Sequence, residues 1–467
     1  MSHKARFLTG STMRHVAVMT AAGSIGLMFA FIVDFATLFW VGQAGGEPWV
    51  AAAGYAFTLQ FFAVSVGVGL MIAGVAMISR EMGRDEFQIA RRMVSVSTVI
   101  AVLAQTVIAA GVVVFRYPML ELLGAKGAVL DDAARYIFIS MPSLPVMAIG
   151  LMGSAALRAE GDAKRSMFLT LLSGLLMMFV DPLLVIGLGL GLDGAAIGVC
   201  IFRLMFMALA IRYVIFVHDL AAPLSWEDIR VFAKPFLLIA APAVLTQLST
   251  PAGNAIVTAV ISQFGDSAVA GWTVVSRVSV VAFGGIFALS GAIGGIIGQN
   301  YGAGLMDRVS RTFRDALLFC GVYVVIAWII LYALTGPLVV GFDLRNEGVD
   351  VLKAFTHIGA LGFVFTGALF VANAAFNALD RAVWATFANW TRDGIVMYPI
   401  CLLGAYLMAD IGVIYAQAVA NVIVGAVAAY LGWRYVQSLL APADRIESGG
   451  LTDRTVMLSS DCEQKRT

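Results

Sequence analysis

The constraint that dominates this chain is the length of its apolar runs. Twelve stretches lie near 15–41, 49–78, 93–115, 133–157, 167–190, 193–217, 236–263, 268–299, 316–340, 354–379, 384–408 and 411–437. Each reaches the ~20 residues that a helix needs to cross a bilayer. Of the 467 residues 60% are hydrophobic and 13% charged, against roughly 45–50% and about 25% in soluble domains. No single globular core could hide that much apolar surface. The runs are continuous and not alternating, and backbone groups in lipid need partners within their own segment, so they read as helices and not as barrel strands. The predicted fold class is all-α: a polytopic membrane protein with twelve transmembrane helices. Lys4, Arg6 and Arg14 precede the first run as in a signal peptide, but the run is too long for a signal h-region and reads as a span.

The net charge is +1, which gives no bulk attraction to nucleic acid. Placement of the charges is more informative. Of the 30 Lys and Arg residues, 22 lie in the N-terminal segment, the even-to-odd loops and the C-terminal region. Only five, Arg116, Lys126, Arg135, Arg345 and Lys353, lie on the opposite side. The positive-inside rule then puts both termini in the cytoplasm of a multi-pass plasma (inner) membrane protein, with membrane lipids as surroundings. Cys200, Cys320 and Cys401 fall in apolar stretches and Cys462 in a polar tail, without a CxxC or Cys/His cluster. No disulfide, metal site or cofactor is expected, and the chain reads as a monomer.

The chain also repeats itself. Val41 to Gly45 answer Ile261 to Gly265 at an offset of 220, and ISREMG (Ile78 to Gly83) answers IGQNYG (Ile297 to Gly302) at an offset of 219. Six spans per half is an even number, so the halves share one orientation as parallel repeats, a transporter plan with the substrate site between lobes. The expected organisation is a cytoplasmic N-terminus at 1–14, an N-lobe at 15–217, a linker at 218–235, a C-lobe at 236–437 and a disordered cytoplasmic tail at 438–467.

GQNYGAG (Gly298 to Gly304), its repeat mate after the second span, LRAEGDAKRSM (Leu157 to Met167), VDPLL (Val180 to Leu184), GLDGAAIG (Gly191 to Gly198) and the Arg392 to Pro399 spacing occur in one order. Together they resemble the multidrug and toxic compound extrusion (MATE) family, in particular its DNA-damage-inducible-F-like branch. The resemblance implies export of organic cations and amphipathic drugs in exchange for protons or sodium ions. It also implies a functional role for Asp181, which matches the family's span-five aspartate. The usual span-one aspartate falls on Thr37, with Asp34 one turn deeper. The usual span-five asparagine is Met177, and the usual span-one proline is Ala22.

Acidic side chains within spans are expensive and demand a role or a partner. Asp34, Asp181 and Asp393 qualify. Arg203 mirrors Asp181 in depth across the hairpin near Leu192 and is its candidate partner; such a partner would keep Asp181 ionised and leave Asp34 as the proton carrier. Which acid titrates stays open at this level. Arg277, Arg392 and Asp393, with Asn254 as the repeat counterpart of Asp34, form a secondary set whose plain reading is interhelical bonding. Met28, Met71 and Met177 are candidates for an adaptable apolar wall. Sodium prefers several fixed oxygens, so loss of the asparagine amide favours H+ as the coupling ion over Na+.

The resulting expectation is a cation-coupled antiporter that exports small amphipathic cations by alternating access, with Asp34, Asp181, Thr37 and Arg203 as the coupling and substrate residues. The alternatives are a lipid or polysaccharide-precursor flippase of the same superfamily and a Na+-coupled drug antiporter. An enzyme is disfavoured because no clustered His, Ser or metal-ligand constellation is visible.

Overall fold

The computed structural model describes residues 5–342 and 344–440; most of the expected tail lies outside them. The described residues are helical throughout, without a strand. The helix Thr12–Gly83 has 72 residues, which at 1.5 Å per residue is far longer than one bilayer crossing. It is broken at Gly46, whose φ of 67° a side chain would disfavour, and Pro48 opens the second segment. Spans 1 and 2 are therefore 12–45 and 47–83. Spans 3 to 7 are Phe87–Val114, Gly127–Glu160, Ala163–Gly187, Gly191–Val217 and Trp226–Phe264. Span 8 is a bent pair, Ser267–Ala282 and Gly284–Gly302, with a 45° angle between its halves. Span 9 is Met306–Gly341, and span 10 is Gly359–Ala378 with the short helix Glu347–His357 leading into it. The helix Ala382–Ser438 breaks at Met408 and Ala409 into spans 11 and 12. Twelve spans result among the described residues, at the places the apolar runs mark.

The internal repeat is visible as reciprocal packing. A Cβ on Gly83 would stand 2.0 Å from the Gln299 carbonyl oxygen, and one on Gly302 would stand 2.0 Å from that of Arg80. Deeper in the bundle, Gly23 of span 1 meets Ala288 of span 8 while Gly69 of span 2 meets Val244 of span 7. Each contact is the repeat image of the other. The two repeated motifs are thus the surfaces on which the halves meet.

Polar contacts that join the halves gather at the end carrying both termini, called here the basic end. The Arg80 guanidinium donates to the Ala378 and Asn377 carbonyls at 2.7 and 3.1 Å and pairs with Asp380. The Phe7 amide donates to Gln299 Oε1 at 2.9 Å, and Arg308 donates to the Phe7 carbonyl at 2.7 Å. Gln299 in turn donates to the Ala159 carbonyl at 2.6 Å. Phe7, Gln299 and Asn300 are buried in this seam. The halves are tied at the basic end, whereas Asp34, Asn254 and Arg277, outward of the bend of span 8, are exposed although they lie within spans; we read this as a cleft between the halves that opens toward the opposite end.

Candidate functional site

The first half concentrates polar groups beside the cleft. Asp181 ends the regular part of span 5: Pro182 follows, lacks an N–H to donate, and is succeeded by a wider π-helical turn, Leu183–Gly187. This fixes the carboxyl side chain inside the bundle, where Asp181 is 1% exposed. Its Oδ2 is met by the Thr37 hydroxyl of span 1. Its Oδ1 has no hydrogen-bond partner and lies against Gly198 of span 6, where a Cβ would stand only 2.0 Å away. Any other residue at 198 would displace the carboxyl group.

Thr37 has one hydroxyl proton and two acceptors within reach, Asp181 Oδ2 and, at 3.1 Å, the Val33 carbonyl. When Asp181 is ionised, the hydroxyl donates to it. When Asp181 carries a proton on Oδ2, it donates to Thr37, which turns its own proton to Val33. The pair therefore has one bonded arrangement for each protonation state.

Asp34 sits differently. It is exposed although it lies within span 1, three turns outward of Gly23 on the same face. It lines the cleft, while Asp181 lies behind Thr37. The two acids are electrostatic neighbours, and Arg277 and Arg203 also act on Asp34.

The candidate pairing of Arg203 with Asp181 does not form. Arg203 Nη1 donates to the Ser140 carbonyl at 2.8 Å and to Ser143 Oγ at 2.9 Å, and Nη2 donates to Gln60 Oε1 at 3.1 Å. Depth was matched, but direction around the helix was not. Gly198 is the residue of span 6 that faces Asp181, and Arg203, five residues on, points about 140° away toward spans 2 and 4. The methionine wall also fails in part, since Met71 and Met177 are buried in packing and only Met28 touches the other half, against Gly284.

In the second half Arg392 and Asp393 occupy a π-helical turn, Thr391–Val396, in span 11. They bond to one another: Nε to Oδ1 at 2.7 Å and Nη2 to Oδ2 at 2.8 Å, both buried. Gly253 of span 7 makes room for the Asp393 carboxyl group as Gly198 does for Asp181. This ion pair is self-contained. Asn254 is exposed within span 7, as its counterpart Asp34 is in span 1, and its carbonyl accepts from Thr258. Arg277 is exposed within span 8 and, among the described residues, makes no hydrogen bond or ion pair.

Gly198, Gly253, Gln60, Ser140 and Ser143 were not singled out by sequence. Gln60 carried a usable signal, being an amide in the middle of an apolar run. The two glycines carried none, because their role is defined by a carboxyl group on another span.

Comparison with known proteins decides the family. The MatE family model matches residues 23–183 and 242–403, one block in each half. The chain belongs to the MATE family. It is 26% identical over 432 residues to a FAD transporter of Shewanella oneidensis, covering 91% of this chain and 95% of that protein. It is 22% identical to the multidrug export protein MepA of Staphylococcus aureus, covering 85% and 88%. The bent form of the Vibrio cholerae MATE transporter VcmN superposes with a TM-score of 0.85 at 24% identity, covering 92% and 98% of the two chains. This MATE chain is an integral membrane transporter of the multidrug and toxic compound efflux type.

Proposed function

We propose that this MATE protein is a proton-driven antiporter of amphipathic organic molecules, oriented with its basic end in the cytoplasm and open to the outside in this structure. The observation that carries the reading is Thr37, poised between Asp181 and the Val33 carbonyl. A proton that enters from outside neutralises Asp181 and rearranges that one hydroxyl. Neutralisation also removes a buried charge whose desolvation opposes closure of the lobe.

Asp34 then serves as the substrate contact and Asp181 as the proton site. A cation bound at Asp34 cancels the repulsion between the two acids and favours loss of the proton from Asp181. Protonation of Asp181 in turn weakens the field that holds the cation. Competition between proton and substrate through one short electrostatic link is what an antiporter requires. Thr37 is the sole oxygen partner of Asp181 among the described residues, a set too sparse for sodium. The protein works as a single chain within lipid and needs no cofactor.

Ethidium uptake into proteoliposomes tests this reading. An imposed proton gradient should drive uptake, a sodium gradient should not, and Asp181→Asn should abolish the driven component. Equal uptake with a sodium gradient would contradict it.

A second reading concerns substrate charge. Arg277 is exposed within span 8, and the Shewanella oneidensis relative is named for a flavin dinucleotide. Anionic, flavin-like substrates are therefore a class to place beside organic cations.

A further inference from the structure

Span 1 runs outward and span 8 runs inward, and they touch where Gly23 meets Ala288, with a Cβ on Gly23 at 3.1 Å from the Ala288 Cβ. Asp34 lies eleven residues outward of Gly23, and Arg277 lies eleven residues outward of Ala288. Eleven residues are three turns, so Asp34 sits on the face of span 1 that makes the contact, about 16 Å above it; Arg277 lies on the outer half of span 8, beyond the break at Phe283, and is exposed there. The bend of span 8 at Phe283 leans its outer half away by 45°. Asp34 and Arg277 are thus both exposed outward of the contact between spans 1 and 8, one in each half. They are not in contact, yet Arg277 is the foremost charge acting on Asp34.

The repeat provides an internal comparison. The counterpart of Asp34 is Asn254, and the counterpart of Arg277 at the offset of 219 is Thr58; both are exposed within their spans. Spans 2 and 7, which touch at Gly69 and Val244, thus carry a neutral polar pair at the level where spans 1 and 8 carry two opposite charges. One side of the cleft is bipolar and the other is not.

A guanidinium within a span is costly unless something compensates it, and the pairs at Arg203 and Arg392 show how this fold does so elsewhere. Arg277 has no such arrangement. It presents a planar fork of donors suited to phosphate or carboxylate. Phe35, two turns above Met28 on the face that meets Gly284, adds an exposed ring beside Asp34.

We infer that Asp34 and Arg277 are the two poles of the substrate site: Arg277 binds the phosphate or carboxylate arm of a planar, ring-bearing amphiphile whose N–H donors meet Asp34 and whose ring stacks on Phe35. This rests on the reading of the cleft as the substrate chamber, and it assigns Arg277 as the residue that selects for the anionic arm.

Riboflavin and riboflavin 5′-phosphate share one ring and differ in the phosphate, so they isolate this effect. Their affinities for the full-length protein in detergent follow from flavin fluorescence quenching, without any gradient. The wild type should prefer the phosphorylated flavin by about tenfold or more, the scale of a desolvated charge-assisted bond. Arg277→Gln should abolish the preference, so that the two flavins bind with equal affinity, and Arg277→Lys should keep part of it. Equal affinities in the wild type, or a preference that survives in Arg277→Gln, would overturn the inference. Should Arg277→Gln fold poorly by its melting temperature, a reduced but remaining preference in Arg277→Lys together with equal binding of both flavins in Arg277→Ala supports the inference, and an undiminished preference in Arg277→Ala overturns it. Because binding is read without a gradient, failure of proton-driven ethidium uptake would count against the coupling mechanism alone.

Discussion

Gly302 stands on the Arg80 carbonyl so closely that a single added carbon at its Cβ position would lie 2.0 Å from that oxygen. The two residues belong to the two copies of the internal repeat and meet at the basic end. Gly302→Val must therefore push the lobes apart, at a cost of about 1–3 kcal/mol for overpacking. A cysteine placed at Ser79, fully buried in the seam, should then become reactive to an impermeant maleimide added to inverted vesicles. Unchanged labelling would show that the seam is not what closes this end.

Arg80→Ala acts on the same seal by a different route. It removes the donors to the Asn377 and Ala378 carbonyls and the partner of Asp380. The state closed at the basic end loses this support, so the population should shift toward states open at that end. Labelling at Ser79→Cys should rise here too, while the melting temperature falls by less than in Gly302→Val, because no atoms are forced into contact.

Arg203 and Asp181 are neighbours in depth but not partners. Arg203→Met should destabilise the protein by about 2–4 kcal/mol, the scale for losing bonds from a buried charged donor. A double-mutant cycle of Arg203 with Gln60 should show coupling of about 1 kcal/mol or more, and one with Asp181 should show little. Strong coupling to Asp181 would restore the candidate pairing drawn from the sequence.

Arg392 and Asp393 of span 11 bond to one another, which predicts a structural role. Either Arg392→Met or Asp393→Leu alone leaves a buried charge uncompensated and should cost about 3–5 kcal/mol, whereas the double replacement should recover most of it. Proton-driven ethidium uptake by the double variant at near the parental rate would agree with this assignment. Loss of driven uptake in a well-folded double variant would move coupling into the second lobe.

What the sequence made legible was set by what lipid demands of a chain. Apolar runs of the required length give the twelve spans, and the even number of spans per half gives parallel repeats. The duplicated ISREMG and IGQNYG segments turned out to be the surfaces that meet, Gly83 against Gln299 and Gly302 against Arg80. The buried acid Asp181 and its hydroxyl neighbour Thr37 were legible through the family motif. Arg203 was misassigned because counting from a hairpin gives depth and not the direction a side chain takes around its helix. Gly198 and Gly253 were invisible because a glycine's reason for being there lies on another span. The opposition of Asp34 and Arg277 needed the contact of Gly23 with Ala288 to align spans far apart in the chain.

Proton exchange at Asp181 in response to substrate is the central claim, and it can be read directly. Ethidium added to purified protein in weakly buffered detergent should release protons, detected by a pH-sensitive dye, because a cation at Asp34 favours the ionised form of its neighbour. Thr37→Val should diminish the release, and Asp181→Asn should abolish it while ethidium still binds. Proton release from Asp181→Asn equal to that of the wild type would contradict the account.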